Sequence, residues 1–223
     1  MTTDLSTTLA DPVAGAGTAA AKPDLAACLS EFLRRVLPNA AAYAAARDTA
    51  TQIVTDLRSE LPSGANPDHY IAGSVGKLTA IAPVTTVDVL YVLPPKLNIA
   101  KSNDALKTAW AVLKSKHEGA RISDDQTGVL VASKGLTVRV IPCIPRDGAF
   151  LVPGPNGWTL TNPIAEAATL RLADSMYGAR LRMLMSVLKA WRIHNHVPIS
   201  GFALELLAQD FYASAPRPQE LTT

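Results

Sequence analysis

A chain of 223 residues, 48% hydrophobic and 18% charged, fits a globular protein of one or two domains with a sizeable core. A net charge of +2 gives no global argument for nucleic-acid binding, leaving only a local basic patch. No apolar run reaches the roughly 18 residues a membrane span needs, and the opening residues lack the basic start and apolar centre of a signal peptide.

Residues 1–22 are rich in Ala, Thr, Gly and Pro without periodicity and read as a disordered leader. From Pro23 the pattern turns helical, with Leu25, Leu29, Phe32, Leu33 and Val36 on one face. A longer Ala-rich helix follows, striped by Ile53, Val54 and Leu57, and "PSGANPD" breaks it. "HYIAGS" reads as a short strand ending in a turn. "TTVDVLYVL" is β-branched and almost continuously apolar, as a buried central strand requires.

"NIAKSNDALKTAWAVLKSKH" is an amphipathic helix, and "ARISDDQ", "GVLVAS" and "LTVRVIPCI" are three further strands. "FLVPGPNGWTLTNP" reads as loop. The segment from Pro163 to Asn195 is helical, with Leu181, Leu184, Met185, Leu188 and Trp191 as a core stripe, and "SGFALELLAQDFY" adds a last helix. The sum is an α+β fold: a mixed sheet over about residues 67–155 flanked by helices, with a helical lobe from the two ends. The expected divisions are a leader (1–22), a core with its N-terminal helices (23–155), a short lobe (156–215) and a tail (216–223). Cys28 and Cys143 lie far apart in apolar settings, so both are expected to be buried free thiols. The lack of a disulfide framework favours the cytoplasm.

Chemistry concentrates after the first strand. Gly73-Ser74 sits between a strand and a short helix. There a glycine lets backbone approach a ligand, and free amides at the helix start attract phosphate. "GSVGKLT", followed by Asp88 in an apolar strand, resembles the nucleotidyltransferase signature of Gly-Ser, short helix and Asp-x-Asp. The longer stretch "AGSVGKLTAIAPVTTVDVLYVLP" resembles the bacterial cyclic-oligonucleotide synthases of antiphage signalling, relatives of cyclic GMP-AMP synthase and 2′-5′-oligoadenylate synthetase. "LTVRVIPCIP" resembles the strand carrying the third Asp, "WTLTNP" the Trp turn after the core, and "LMSVLKAWRIHNHVPISGFALELLA" the Lys-Ala-Trp and Leu-Glu segments of the helical lobe. The resemblance spans about residues 24–213.

The resemblance implies a nucleoside triphosphate ligand held by Gly73, Ser74 and Lys189, with Phe202 either stacking on a base or packing in the core. Ser200 lies one place from the family's serine, because Gly201 precedes Phe202. It also implies magnesium on three carboxylates, and here the chain departs. Thr86 stands at the first Asp position and Arg139 at the third, leaving Asp88 as the metal remnant. Two-metal transfer needs carboxylate oxygens. A permanent positive charge about 4 Å from a unit cation costs about 4 kcal/mol at an effective dielectric of about 20, and a divalent ion feels about twice that.

Two roles are open to Arg139: an ion pair with Asp88 that fills the dead metal site, or a phosphate contact in place of magnesium. Asp124 and Asp125 could restore a metal site, although neighbouring strand residues face opposite ways and a turn is the plainer assignment. Asp68 and Asp104 suit loops or caps, and Arg182 shares a helix face with Lys189. The expected function is therefore a catalytically degenerate nucleotidyltransferase-like protein that binds a nucleotide or a partner protein. The alternative is an active Mg²⁺-dependent synthase of a nucleotide second messenger. A short lobe would leave apolar surface for a partner or for self-association.

Overall fold

The computed structural model describes residues 24–97, 99–178 and 180–214. The expected leader and the tail beyond Ser214 lie outside the described residues. Two helices come first. Asp24 caps α1 (Leu25–Val36), its carboxylate accepting from the Ala26 amide at 3.0 Å, and Asn39 caps α2 (Ala40–Arg58) through the Ala42 amide at 2.8 Å. The core follows as β1 (His69–Ala72), α3 (Gly73–Lys77), β2 (Thr86–Val92), α4 (Ser102–Lys116), β3 (Arg121–Ile122), β4 (Val129–Ser133) and β5 (Leu136–Arg146). A hairpin of β6 (Ala149–Gly154) and β7 (Gly157–Thr161) leads into α5 (Pro163–Met176), α6 (Arg180–His194) and α7 (Gly201–Ser214).

The sheet runs β1-β2-β5-β4-β3, and the far end of β5 pairs with β6, which pairs with β7. Only β2 and β5 are parallel, so the sheet is mixed as expected. Strand alternation then sorts the side chains. Val87, Val89 and Tyr91 of β2, with Val138 and Val140 of β5, bury against Ile53, Val54 and Leu57 of α2 and Leu113 of α4. The intervening residues, Asp88, Leu90, Arg139 and Ile141, face the opposite side and line a cleft. The lobe has its own small core of Leu170, Leu181, Met185 and Ala208, edged by Tyr177 and Tyr212.

Several expectations are corrected. "FLVPGPNGWTLTNP" is a hairpin rather than a loop, so the sheet extends to Thr161. Pro153 is tolerated because β5 pairs with β6 only over Ala149–Leu151, so the missing amide touches a single ladder. The expected division at residue 155 falls in the turn of this hairpin. The helical run from Pro163 to Asn195 is interrupted at Tyr177-Gly178, where Gly178 takes φ +60°. The apolar stripe of α1 buries none of its residues, Cys28 on it is exposed, and Trp191 is half exposed rather than core. No helix among the described residues is long and apolar enough to cross a membrane.

Candidate nucleotide cleft

The sheet side of the cleft is built on two adjacent parallel strands that place Asp88 of β2 directly beside Arg139 of β5. The Arg139 Nε donates to Asp88 Oδ1 at 2.8 Å. Its Nη1 reaches Asp125 Oδ2 and Thr127 Oγ1, both at 3.4 Å. Glycines make room for the pair. A Cβ on Gly128 would lie 2.7 Å from Arg139 Cγ, and one on Gly73, where φ is +60°, would lie 2.2 Å from Asp88 Oδ2. Burial works against the charge of Arg139. The Asp88 hydrogen bond and the attraction of Asp88 and Asp125 more than offset it, holding the guanidinium above the ordinary arginine pKa. Asp125 is likewise desolvated, yet bonds from Ser123 and Thr127 lower its pKa.

In this geometry Arg139 pairs with Asp88, the first of the two roles read for it. Asp124 and Asp125 form a turn after β3. Asp125 approaches Arg139, whereas Asp124 is solvent-exposed beside Arg121. The residues present do not fit a magnesium pair, because a guanidinium sits 2.8 Å from the one remaining carboxylate of the expected set and Thr86 offers no charge. Among the described residues no group of three or more His, Cys, Asp or Glu could hold a metal.

Across the cleft stand α3, α6 and α7. Lys189 does line the cleft, but all three of its donors are taken: Thr79 O at 3.0 Å, Thr79 Oγ1 at 2.8 Å and Glu205 Oε1 at 2.5 Å. The Thr79 hydroxyl donates a hydrogen bond to Glu205 Oε1 at 2.6 Å, and Lys77 reaches Glu205 Oε2 at 2.5 Å. Two lysines thus share one buried carboxylate. Burial would raise the Glu205 pKa, but the lysines and the Thr79 hydroxyl take it below the ordinary value. Lys189 shifts downward through burial and through repulsion by Lys77 and Arg192, only partly offset by Glu205. Both shifts follow from burial together with cations outnumbering the one carboxylate of the cluster.

Gly73, Ser74, Thr86, Asp88, Arg139, Lys189 and Phe202 all line one cleft of about 1150 Å³. Phe202 is 50% exposed there rather than packed in the core, with Lys77 Nζ 5.0 Å from its ring centre. Ser200 does not line the cleft: its hydroxyl accepts from the Ala203 amide at 3.0 Å and caps α7, a task the shifted serine is placed to do. Arg182 turns away to Asp174, at 2.5 Å. Asp68 pairs with Arg58 and His69. Sequence reasoning missed Lys77, Thr79, Arg192 and Glu205. Lys77 and Thr79 lie within the "GSVGKLT" stretch, whereas nothing local links Glu205 to Thr79, 126 residues away.

The model of the Second Messenger Oligonucleotide or Dinucleotide Synthetase domain matches residues 24–173, and the chain belongs to that family. No curated protein sequence is significantly similar to it. Among solved structures, the fold resembles the Escherichia coli MS115-1 CdnC in a complex with HORMA-deltaN, with a TM-score of 0.67 at 16% identity over 85% of this chain and 65% of that one. The STING-associated CdnE c-di-GMP synthase of Capnocytophaga granulosa gives a TM-score of 0.64 at 14% identity over 83% of this chain and 65% of that one. The Bradyrhizobium diazoefficiens CD-NTase CdnG in complex with GTP gives 0.65 at 12% over 88% and 72%. The chain thus spans 65% of the length of the first two.

Proposed function

We propose that this synthetase-family domain holds a nucleotide in its cleft without joining nucleotides together. The observation that carries the reading is the Asp88–Arg139 ion pair, which puts a fixed cation where two-metal transfer needs anionic oxygen. The cleft keeps the features that suit a nucleotide: the Gly73-Ser74 turn, an exposed aromatic ring at Phe202 and basic side chains along its lining. Relatives in solved structures carry GTP in one case and a HORMA protein in another, and both kinds of partner suit this chain. A protein partner or a second copy would bind the exposed apolar faces of α1 and of α7, the latter in a lobe division starting near residue 156. Under this reading the domain acts in the cytoplasm as a nucleotide-responsive component of antiviral signalling.

The test is incubation with labelled nucleoside triphosphates and Mg²⁺ or Mn²⁺. No oligonucleotide, linear or cyclic, is expected. Steady product that disappears in Asp88→Ala would overturn the reading in favour of an active synthase. The double variant Thr86→Asp, Arg139→Asp should gain Mn²⁺ binding in calorimetry with nucleotide present, since it removes the cation and supplies two carboxylates.

A further inference from the structure

Among the described residues, four cations line the cleft: Lys77, Arg139, Lys189 and Arg192. Three face carboxylates. Arg139 has Asp88 and Asp125, Lys189 has Glu205, and Lys77 has Glu205 and, at 3.6 Å, Glu166. Arg192 differs. Its described contact is a single hydrogen bond, from Nη1 to the carbonyl of Ile199 at 2.8 Å. A guanidinium has five N–H donors, so its remaining fork is available at the cleft wall. Arg192 follows Lys189 by three positions on α6 and so shares its face. Both side chains line the same cleft.

We infer that Arg192, rather than Lys189 or Arg139, is the anchor for the phosphate groups of a nucleotide in this cleft, and that it holds them without a metal ion. The inference rests on the reading of the cleft as a nucleotide site. The reasoning is one of available charge. For Lys189 to meet a phosphate it must leave three acceptors and strand Glu205 and Thr79 in a buried place. For Arg139 to do so it must abandon Asp88, and the phosphate would then face an unpaired carboxylate. Arg192 breaks no ion pair seen among the described residues and can keep its bond to the Ile199 carbonyl. Its planar fork also suits two phosphate oxygens at once. The Gly73-Ser74 turn, which lines the same cleft, then serves to position the nucleotide.

The test is titration of ATP, GTP and inorganic tripolyphosphate into the protein with EDTA present. Wild-type binding is expected to survive EDTA. Arg192→Gln keeps a donor for the Ile199 carbonyl, so the fold is retained, but it removes the charge. It should weaken nucleotide and tripolyphosphate alike by about tenfold or more, the scale of one charge-assisted bond. Arg192→Lys, a point charge without the fork, should fall between the two. Unchanged nucleotide affinity in Arg192→Gln, or binding that EDTA abolishes, overturns the anchor and leaves the nucleotide reading standing. Tripolyphosphate binding that depends on Arg192, with no nucleotide binding at all, supports the anion anchor and overturns the nucleotide reading. A tenfold loss in Arg139→Ala with none in Arg192→Gln moves the anchor to the sheet and overturns the inference.

Discussion

The two halves of this molecule treat their apolar faces in opposite ways. On the sheet side, the stripes of α2 and α4 are covered: Ile53 is 1% exposed and Leu113 not at all. On the helical side, α1 buries none of its residues, and α7 leaves Leu206, Leu207 and Phe211 at least half exposed. All four helices carry apolar residues, so composition does not separate them. What separates them is the presence of a sheet to pack against. An apolar stripe states that a face is worth covering; it does not state what covers it.

The halves are joined through charge more than through oil. Glu205 of α7 ties to Thr79 and to Lys77 of α3, Lys189 of α6 donates to the Thr79 carbonyl, and the Ser186 hydroxyl donates to the Ala80 carbonyl at 3.2 Å. The largest effect is therefore expected at this joint. Glu205→Ala leaves Lys77 and Lys189 without their shared carboxylate, both about nine-tenths buried. The expected cost is about 3–5 kcal/mol in urea unfolding. A loss below about 1 kcal/mol would mean that packing, not this cluster, holds the lobe to the core.

The next contrast is apolar. Leu113→Ala removes a side chain with no solvent exposure from the α4–sheet interface and should cost about 3 kcal/mol, the middle of the range for such deletions. Leu207→Ala, at 56% exposure on α7, should change stability by about 0.5 kcal/mol or less. Equal losses in dilute solution would show that α7 is covered there, and the comparison between the halves would fail.

The difference in legibility follows the same line. The strand of Asp88 and its burial pattern are visible in a short window, whereas the pairing of Asp88 with Arg139, 51 residues away, is suggested only by the resemblance. The lobe was less legible. The break at Gly178 is one residue in a continuing helical pattern, and the hairpin of β6 and β7 looked like loop because Pro and Gly dominate its turn. Lys189, a binding residue by resemblance, lines the cleft. Its saturation by Thr79 and Glu205 is a long-range fact with no local signature.

A smaller effect is expected on acidification. The Glu205 pKa is lowered in the folded protein, so above the ordinary glutamate value of 4.5 its interaction contributes fully to stability. As pH falls below that value the unfolded chain takes up the proton first. The contribution is then lost as pH passes down through the folded pKa. Glu205→Gln should flatten the stability curve in that acid window. Asp125, also lowered, remains in the variant and keeps a residual slope from the sheet side. A wild-type curve identical in shape to that of Glu205→Gln would remove Glu205 from the acid response.

The smallest effect leaves stability unchanged and reads the two surfaces directly through the cysteines. Cys143 lies on β5 with no exposure, and burial pushes its thiol up to about 12. The thiolate is the reactive form, so Cys143 is doubly protected, by its surroundings and by its proton. Cys28 lies exposed on α1, on the uncovered side of the molecule. A disulfide reagent at pH 8 should titrate one thiol quickly and the second only after denaturation. Cys28→Ser should abolish the fast phase, and Cys143→Ser should leave it intact. The dependence on protein concentration carries the comparison further. If the α1 face stays open, the Cys28 rate is constant across a hundredfold dilution series. If a second copy covers that face, the rate falls as concentration rises, and the helical half proves to be completed between molecules rather than within one.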